Sequence, residues 1–299
     1  MSKVVLIQID GKEPNLALMK LAKFHENKKD DVMFVDLSTL KGDIFYGSKI
    51  FMGGSGYNLK AKLPKGIEEL VPDYDKFGLD YSVGFTSRGC FRNCDFCIVR
   101  KKEGFIHDVK TNWITKQKVK PYDNNFLACP TWKEKLQYFI DTKAKVCFNQ
   151  GLDLRLVDEE KAEMLAKLNY RDDSFKTKRL YFAWDNIKDE EAVFKGVKYI
   201  LEAGIKPTHL MLYMIVNNGE KMTDNLYKIA KMKELGIKPY VMVKNKLTAD
   251  PIYKKLQRWV NRRYYNFIEW EDFGKKGSFI KETAGVFDRG IKKLEELRK

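Results

Sequence analysis

The stretch "YSVGFTSRGCFRNCDFCIV", residues 81–99, decides how the rest of the chain is interpreted. Its first half is a short apolar run typical of a strand, and that run leads directly into three cysteines. Cys90, Cys94 and Cys97 have the spacing C-x3-C-x2-C, and an aromatic residue, Phe96, precedes the last of them. Three of the five cysteines of the chain therefore crowd into one loop, which predicts that they act as ligands.

The number of thiolates narrows the kind of site. A structural zinc site takes four protein ligands, commonly two C-x2-4-C pairs, but the remaining cysteines, Cys129 and Cys147, are single and read as buried apolar residues. His107 would have to supply the fourth ligand, which keeps zinc open as an alternative. A [4Fe–4S] cluster normally takes four thiolates, so three of them leave one iron with an open position for a cofactor or substrate.

The motif C-x3-C-x-aromatic-C, on a loop after a strand, resembles that of the radical S-adenosylmethionine (radical SAM) superfamily, and the resemblance extends over residues 80–245. It implies that Cys90, Cys94 and Cys97 hold one [4Fe–4S] cluster, whose open iron chelates the amino and carboxylate groups of S-adenosylmethionine. One electron then cleaves that cofactor to methionine and a 5′-deoxyadenosyl radical, which abstracts hydrogen from a substrate. The backbone at Phe96 is expected to lie against the adenine. A reducing partner of flavodoxin or ferredoxin type is expected to supply the electron.

The rest of the chain alternates between strand-like and helix-like segments, which predicts an α/β fold. Five apolar runs after the cysteine loop, separated by helical patterns, predict a partial (β/α)6 TIM-type barrel over 81–273; they are "YDNNFLA" (122–128), "KVCFNQGLD" (145–153), "RLYFAWD" (179–185), "HLMLYMIV" (209–216) and "KPYVMVKN" (238–245). A small Rossmann-like β-α-β domain is expected at 1–62, a connector at 63–80 and a charged terminal helix at 274–299.

Polar residues at strand ends are the further candidates for cofactor binding, because ligands of such sheets lie at the carboxyl ends of the strands. The superfamily usually places a glycine-glycine-glutamate stretch after the second strand, and this chain has Asp123, Asn124 and Asn125 there. These three are expected to bind the amino group of the cofactor, with a strand-end turn closed by their own side chains as the alternative.

The later strand ends add four candidates: Gln150, Arg155, Asp185 and Asn217. Arg155 can meet the cofactor carboxylate with two parallel hydrogen bonds, a geometry that lysine lacks; an ion pair with Asp153 or Asp185 is the alternative. Asp185 and Asn217 are expected to hold the ribose hydroxyls.

The N-terminal layer is similar to that of radical SAM members with a cobalamin-binding domain. Those members carry a histidine in D-x-H-x-x-G, whereas the first strand here ends in "IDGKEPN" (9–15), so cobalamin is not expected. The glycines of "MGGSGY", Gly53, Gly54 and Gly56, can approach a phosphate or form a plain turn. Because no cysteine precedes Cys90 and none follows Cys147, a single cluster is expected.

The net charge of +15 makes a polyanionic partner a hypothesis. Residues 228–299 hold 19 Lys and Arg against 9 Asp and Glu, and three aromatic residues are interleaved with arginines there: Trp259, Tyr264 and Tyr265 among Arg258, Arg262 and Arg263. Charge and stacking together favour an RNA or nucleotide substrate. Lysine-rich, solvated helix faces are the alternative.

The remaining composition limits location and function. No apolar run reaches the roughly 18–20 residues of a membrane span, and no signal peptide is evident, so no membrane partner is expected. Clustered cysteines of odd number suit a reducing compartment, hence the cytoplasm. The alternative to an enzyme is a non-catalytic iron–sulfur or zinc protein that senses metal or redox state and binds a partner.

Overall fold

The computed structural model describes residues 1–9, 15–34, 42–48 and 64–275. These residues form a mixed α/β structure with parallel sheets and seven helices, so the predicted fold class is confirmed. The glycine turn predicted at Gly53, Gly54 and Gly56 and most of the helix predicted at 274–299 lie outside the described residues.

The helices are α1 (Leu16–Asn27), α2 (Val99–Glu103), α3 (Trp132–Asp141), α4 (Glu159–Lys167), α5 (Glu190–Glu202), α6 (Met222–Glu234) and α7 (Pro251–Asn261). The strands are β1 (Lys3–Gln8), β2 (Asp31–Phe34), β3 (Ile44–Ser48), β4 (Ser82–Gly84), β5 (Ser87–Arg88), β6 (His107–Asp108), β7 (Lys118–Pro121), β8 (Lys145–Val146), β9 (Asn169–Tyr170), β10 (Leu180–Ala183), β11 (Leu210–Val216) and β12 (Lys238–Val243). They form sheets of order β2-β1-β3, β4-β7-β8-β9, β5-β6 and β10-β11-β12.

The chain divides into two compact units. The first comprises Met1–Tyr181 and Lys195–Ile205, and the second comprises Phe182–Phe194 and Lys206–Lys299. The first unit therefore contains the N-terminal layer, the cysteine loop and the sheet β4-β7-β8-β9. The second contains β11, β12, α6 and α7.

The N-terminal layer is a parallel sheet with β1 at its centre, paired with β2 and β3. A central parallel strand is covered on both faces, which explains why four consecutive residues of β1 are buried. Asn15 begins α1 by accepting the backbone N–H of Leu18 at 3.1 Å, an N-cap worth about 1 kcal/mol. The third strand of this sheet is Ile44–Ser48.

Tyr74, in the predicted connector, attaches the N-terminal layer to the strand before the cysteine loop. Its ring is buried with Met19 of α1 and Val83 of β4. Its hydroxyl donates to the backbone oxygen of Val83 at 2.9 Å and contacts that of Trp113 at 3.2 Å. Because a buried hydroxyl needs a partner, these bonds hold Tyr74 against β4.

The second strand of the sheet β4-β7-β8-β9 begins earlier in the sequence than predicted. It is Lys118–Pro121, paired in parallel with β4 and β8, whereas the predicted strand 122–128 is a loop that ends in a 3₁₀ turn at Phe126–Ala128. The prediction was wrong because the side chain of Asp123 turns toward the backbone of Thr86 and accepts its N–H at 2.7 Å. The polar run 123–125 nevertheless follows a strand end, as expected.

The second unit is built on β11 and β12, which pair in parallel over six residues. Buried and half-buried positions alternate along β11, the period of two expected of a strand. Helix α6 precedes β12 and helix α7 follows it.

Candidate functional site

The cysteine loop is a closed loop. Strands β5 and β6 pair in antiparallel fashion, with Ser87 opposite Asp108 and Arg88 opposite His107. The backbone N–H of Cys90 then donates to the oxygen of Gly104 at 3.2 Å. Residues 89–106 therefore begin and end at the same place, with the three cysteines between them.

Gly89 is required at the closure of this loop. Its φ is +81°, and a Cβ there would lie 2.2 Å from the backbone oxygen of Phe105. Both the left-handed conformation and the close approach exclude a side chain. The loop can close only with glycine before the first cysteine.

Glu103, which the sequence did not single out, joins the two ends of the loop. Its carboxylate accepts from Arg88 Nη2 at 2.9 Å and from the backbone N–H of Gly89 at 3.3 Å. It also accepts from Asn124 Nδ2 at 2.6 Å, which connects the loop to the end of β7. Although burial opposes ionisation, Arg88 and these N–H donors hold the pKa of Glu103 below its ordinary value.

Asp123 fixes the chain immediately before the loop. It is buried and accepts from the Thr86 N–H at 2.7 Å, the Thr86 hydroxyl at 2.5 Å and the Ser87 hydroxyl at 2.7 Å. Burial raises the pKa of this carboxyl, and the three hydrogen bonds oppose that effect. Asp123, predicted to bind the cofactor, is therefore occupied in positioning β5.

The three loop cysteines are half-buried thiols. All five cysteines lie in the described residues, and none forms a disulfide. The backbone N–H of Cys97 donates to the oxygen of Cys94 at 2.9 Å, and the backbone N–H of Arg92 lies 3.4 Å from Cys90 Sγ. Phe96 is half-buried in the same turn. Within the described residues, no group of three or more His, Cys, Asp or Glu side chains lies close enough together to hold one metal ion.

Asn125 faces the first cysteine. Its Nδ2 lies 3.6 Å from Cys90 Sγ and 3.4 Å from Asp153 Oδ2. Its Oδ1 is buried and has no hydrogen-bond partner among the described residues. Of the three candidates after β7, Asp123 and Asn124 are engaged by other side chains, and Asn125 alone keeps a buried acceptor available.

Two arginines converge on Asp153, beside Asn125. Arg92 Nε lies 2.5 Å from Asp153 Oδ2, and Arg155 Nε lies 2.7 Å from Asp153 Oδ1. Burial opposes ionisation of Asp153, but the arginines hold its pKa below its ordinary value. The alternative predicted for Arg155, an ion pair with Asp153, is the arrangement found.

The other candidates at strand ends make local contacts. Gln150 is exposed, and its Nε2 donates to Asn149 Oδ1 at 3.2 Å. Asp185 and Asn217 belong to the second unit. There Asp185 Oδ1 accepts the backbone N–H of Ile215 at 2.9 Å, and Asn217 Nδ2 donates to the oxygen of Lys244 at 3.0 Å.

The two remaining cysteines differ in their surroundings. Cys147 is buried, as expected. Cys129 is also buried, as expected, but its surroundings are polar: its sulfur lies 2.8 Å from Lys135 Nζ and 2.5 Å from Asp108 Oδ1. Burial and the Asp108 carboxylate raise the pKa of the Cys129 thiol. His107, the candidate fourth zinc ligand, is exposed and contacts the oxygen of Phe105 through Nδ1 at 2.9 Å.

A cavity of about 570 Å³ has Arg88 in its wall. Lys20, Phe85, Arg88 and Trp113 contribute to its lining. Burial lowers the pKa of Lys20, the Glu68 carboxylate opposes that effect and Arg88 adds to it. The cavity is within the size range of small-molecule sites.

The sequence predicted base stacking on Trp259, Tyr264 and Tyr265. The structure does not leave these rings free for it. Trp259 and Tyr265 are buried, and the Trp259 indole N–H donates to the oxygen of Ile268 at 2.8 Å. Tyr264 packs against Phe273. An RNA surface in this region would depend on the arginines without those two buried rings.

Comparison of the chain with models of protein families, with curated proteins and with solved structures finds no match. Among the described residues, no helix has the length and apolar character needed to cross a bilayer.

Proposed function

We propose that this chain is a radical SAM enzyme with one [4Fe–4S] cluster. When bound, the reduced cluster would cleave S-adenosylmethionine to methionine and a 5′-deoxyadenosyl radical that abstracts hydrogen from a substrate. The observation that carries the proposal is Asn125, whose amide lies 3.6 Å from Cys90 Sγ while its buried oxygen has no donor among the described residues. Leaving such an acceptor unsatisfied costs about 1–3 kcal/mol. The ammonium group of S-adenosylmethionine is a donor of the required kind.

The donor chemistry fits a cluster. Cys90, Cys94 and Cys97 supply three half-buried thiols on one loop, and soft thiolates are the ligands that iron–sulfur clusters take. Each thiolate of a cluster binds a different iron atom, so the sulfurs stay farther apart than ligands of a single ion. A cluster therefore does not require the three side chains to converge on one point.

The residues of the chain have separate tasks in this proposal. Gly89 and Glu103 close the loop, and Asn125 directs an N–H toward the sulfur of Cys90, a contact that shifts the reduction potential of a cluster. Arg92 and Arg155 both contact the carboxylate of Asp153. The charge of this group of three is therefore positive, which favours binding of the carboxylate group of S-adenosylmethionine nearby.

The predicted barrel, the electron donor and the cellular location belong to the same proposal. The parallel strands β4, β7 and β8 and the helices that follow them support a partial (β/α)6 barrel. A flavodoxin or ferredoxin would supply the electron, and a reducing compartment, the cytoplasm, would protect the cluster.

Anaerobic reconstitution with iron and sulfide tests the proposal. We expect a brown protein that forms 5′-deoxyadenosine from S-adenosylmethionine and dithionite. Serine in place of Cys90, Cys94 or Cys97 should abolish both cluster binding and product. Cys129→Ser, a buried cysteine outside the loop, is the matched control and should keep both.

Two results would contradict the proposal. One is a reconstituted protein that binds zinc in place of iron, which would favour a non-catalytic metal protein. The other is a fully loaded cluster that forms no 5′-deoxyadenosine. Asn125→Leu separates cofactor binding from cluster binding, because it should weaken binding of S-adenosylmethionine while the three thiols still hold iron.

A further inference from the structure

The outer surface of the cysteine loop exposes large apolar side chains. Phe91, Ile98 and Phe105 are 44%, 52% and 65% exposed. The hydrogen bond between Cys90 and Gly104 joins the neighbours of Phe91 and Phe105, so the two rings belong to the same end of the loop. Exposed apolar groups gathered at one place mark a binding surface. We call Phe91, Ile98, Arg100, Lys101, Lys102 and Phe105 the loop rim.

Each exposed ring of the loop rim carries an arginine over its face. Arg92 Cζ lies 4.8 Å from the centre of the Phe91 ring, and Arg100 Cζ lies 3.1 Å from that of Phe105. Both distances are within the range of a cation–π contact. An aromatic face next to a guanidinium group is suited to bind a base by stacking and its phosphate by charge.

The loop rim also carries two lysines. Lys101 and Lys102 are exposed, and neither forms an ion pair with the described residues. The nearby carboxylate of Glu103 is engaged by Arg88. Asp95 is the exposed acid on the loop, so the balance of charge on this surface is positive and matches the net charge of +15 of the chain.

We infer that the loop rim binds single-stranded nucleic acid, with bases on Phe91 and Phe105 and phosphates on Arg100, Lys101 and Lys102. The inference rests on the proposed function in one respect: it makes that nucleic acid the substrate, because the rim and the three cysteines lie on the same loop. The predicted surface at Trp259 and Tyr265 is thereby replaced by one whose rings are exposed.

An acidic protein is the other macromolecule that a basic, apolar surface would accept. The observations favour nucleic acid, because two aromatic rings paired with arginines supply stacking faces that an acidic protein surface does not need. The two occupants respond differently to loss of the rings.

Binding of a fluorescein-labelled, single-stranded oligoribonucleotide of mixed sequence to the full chain tests the inference. The assay contains neither S-adenosylmethionine nor reductant and is run before and after reconstitution. We expect Phe91→Ala and Phe105→Ala each to weaken binding about tenfold. Lys101→Ala with Lys102→Ala should reduce the slope of log K against log salt by about 1.4.

Two controls match these variants. Tyr138→Ala removes an exposed ring from α3, and Arg262→Ala with Arg263→Ala removes two cations from the end of α7; both should leave affinity within about twofold of wild type. Phe105→Trp keeps a ring and should retain affinity, and its fluorescence should be quenched when RNA stacks on it. That readout does not depend on whether the alanine variants fold.

Unchanged affinity in Phe91→Ala and Phe105→Ala would overturn the inference, as would loss of affinity in the Arg262 and Arg263 variant alone. Competition by polyglutamate as strong as that by RNA, with binding of both ligands unchanged in the ring variants, would assign the rim to an acidic protein. Ring-dependent RNA binding without 5′-deoxyadenosine formation would reject the proposed function but support the inference about the loop rim. Formation of 5′-deoxyadenosine with RNA binding that does not depend on the rings would support the proposed function but reject the inference about the loop rim.

Discussion

The carboxylate of Glu103 lies 3.3 Å from the backbone nitrogen of Gly89, fourteen residues earlier in the chain, and accepts its hydrogen bond. The same carboxylate pairs with Arg88 and Asn124. One side chain from the second half of the cysteine loop thus holds the first residue of the loop and attaches it to the segment after β7. The geometry of the three cysteines depends on this connection.

Glu103→Ala should therefore loosen the loop without removing a ligand. We expect a loss of about 1–3 kcal/mol in unfolding free energy, because Arg88 and the Gly89 N–H lose a charged acceptor. Less iron should be retained after reconstitution and desalting, as measured by iron and sulfide content. Glu163→Ala, on the exposed face of α4, is the control. Equal iron retention in the two variants would contradict a positioning role for Glu103.

Gly89→Ala should be more damaging than an ordinary substitution of a left-handed glycine. The new Cβ would lie 2.2 Å from the oxygen of Phe105, and backbone cannot move aside as a side chain can. Gly78 has a φ of +66°, but a Cβ added there would meet nothing within 4 Å, so Gly78→Ala should cost only about 1–2 kcal/mol. Thermal unfolding and iron content of both variants measure the difference. Similar losses in both would show that the close approach is unimportant.

The loop character of the cysteine stretch and the α/β fold class were predictable, because both depend on local patterns. The C-x3-C-x2-C spacing and the alternation of strand and helix are visible within short windows of sequence. The positions of β11 and β12 agree with the apolar runs predicted at 209–216 and 238–245.

The contacts that organise the site were not predictable. Glu103 closes the loop through residues 14 and 21 positions away, and Asp123 reaches Thr86 across 37. The residues around Glu103 and Asp123 in the sequence do not distinguish these carboxylates from solvent-exposed ones. The polar surroundings of Cys129 were missed for the same reason, since Asp108 and Lys135 meet it only in the folded chain.

Asp153 should make stability depend on pH at the acid end. Its pKa in the folded protein is lowered by Arg155 and Arg92, below an ordinary value of about 3.9. The ionised carboxylate therefore stabilises the fold above that pH, and this contribution is lost as pH falls through the lowered pKa. Asp153→Asn should be less stable than wild type at neutral pH, and the difference should shrink below about pH 4.

Urea unfolding of Asp153→Asn at a series of pH values measures this effect. Asp141→Asn, at the exposed end of α3, serves as control and should follow the wild-type profile. A constant difference between Asp153→Asn and wild type down to the acid limit would mean that the two arginines do not act through the charge of Asp153.

Lys228 allows a test of a buried ion pair in the second unit. Its side chain is fully buried; its ammonium group pairs with Glu220 and lies 3.1 Å from the backbone oxygen of Asp185. Removing one partner of a buried pair leaves an uncompensated charge, so Lys228→Met should cost about 3–5 kcal/mol. Adding Glu220→Gln removes the stranded charge and should recover part of that loss, while Gln keeps an oxygen for the Ile187 N–H that Glu220 binds at 2.5 Å. Urea unfolding of the single and double variants gives the coupling energy directly. Strictly additive effects would show that the pair contributes packing alone and that its charges do not interact.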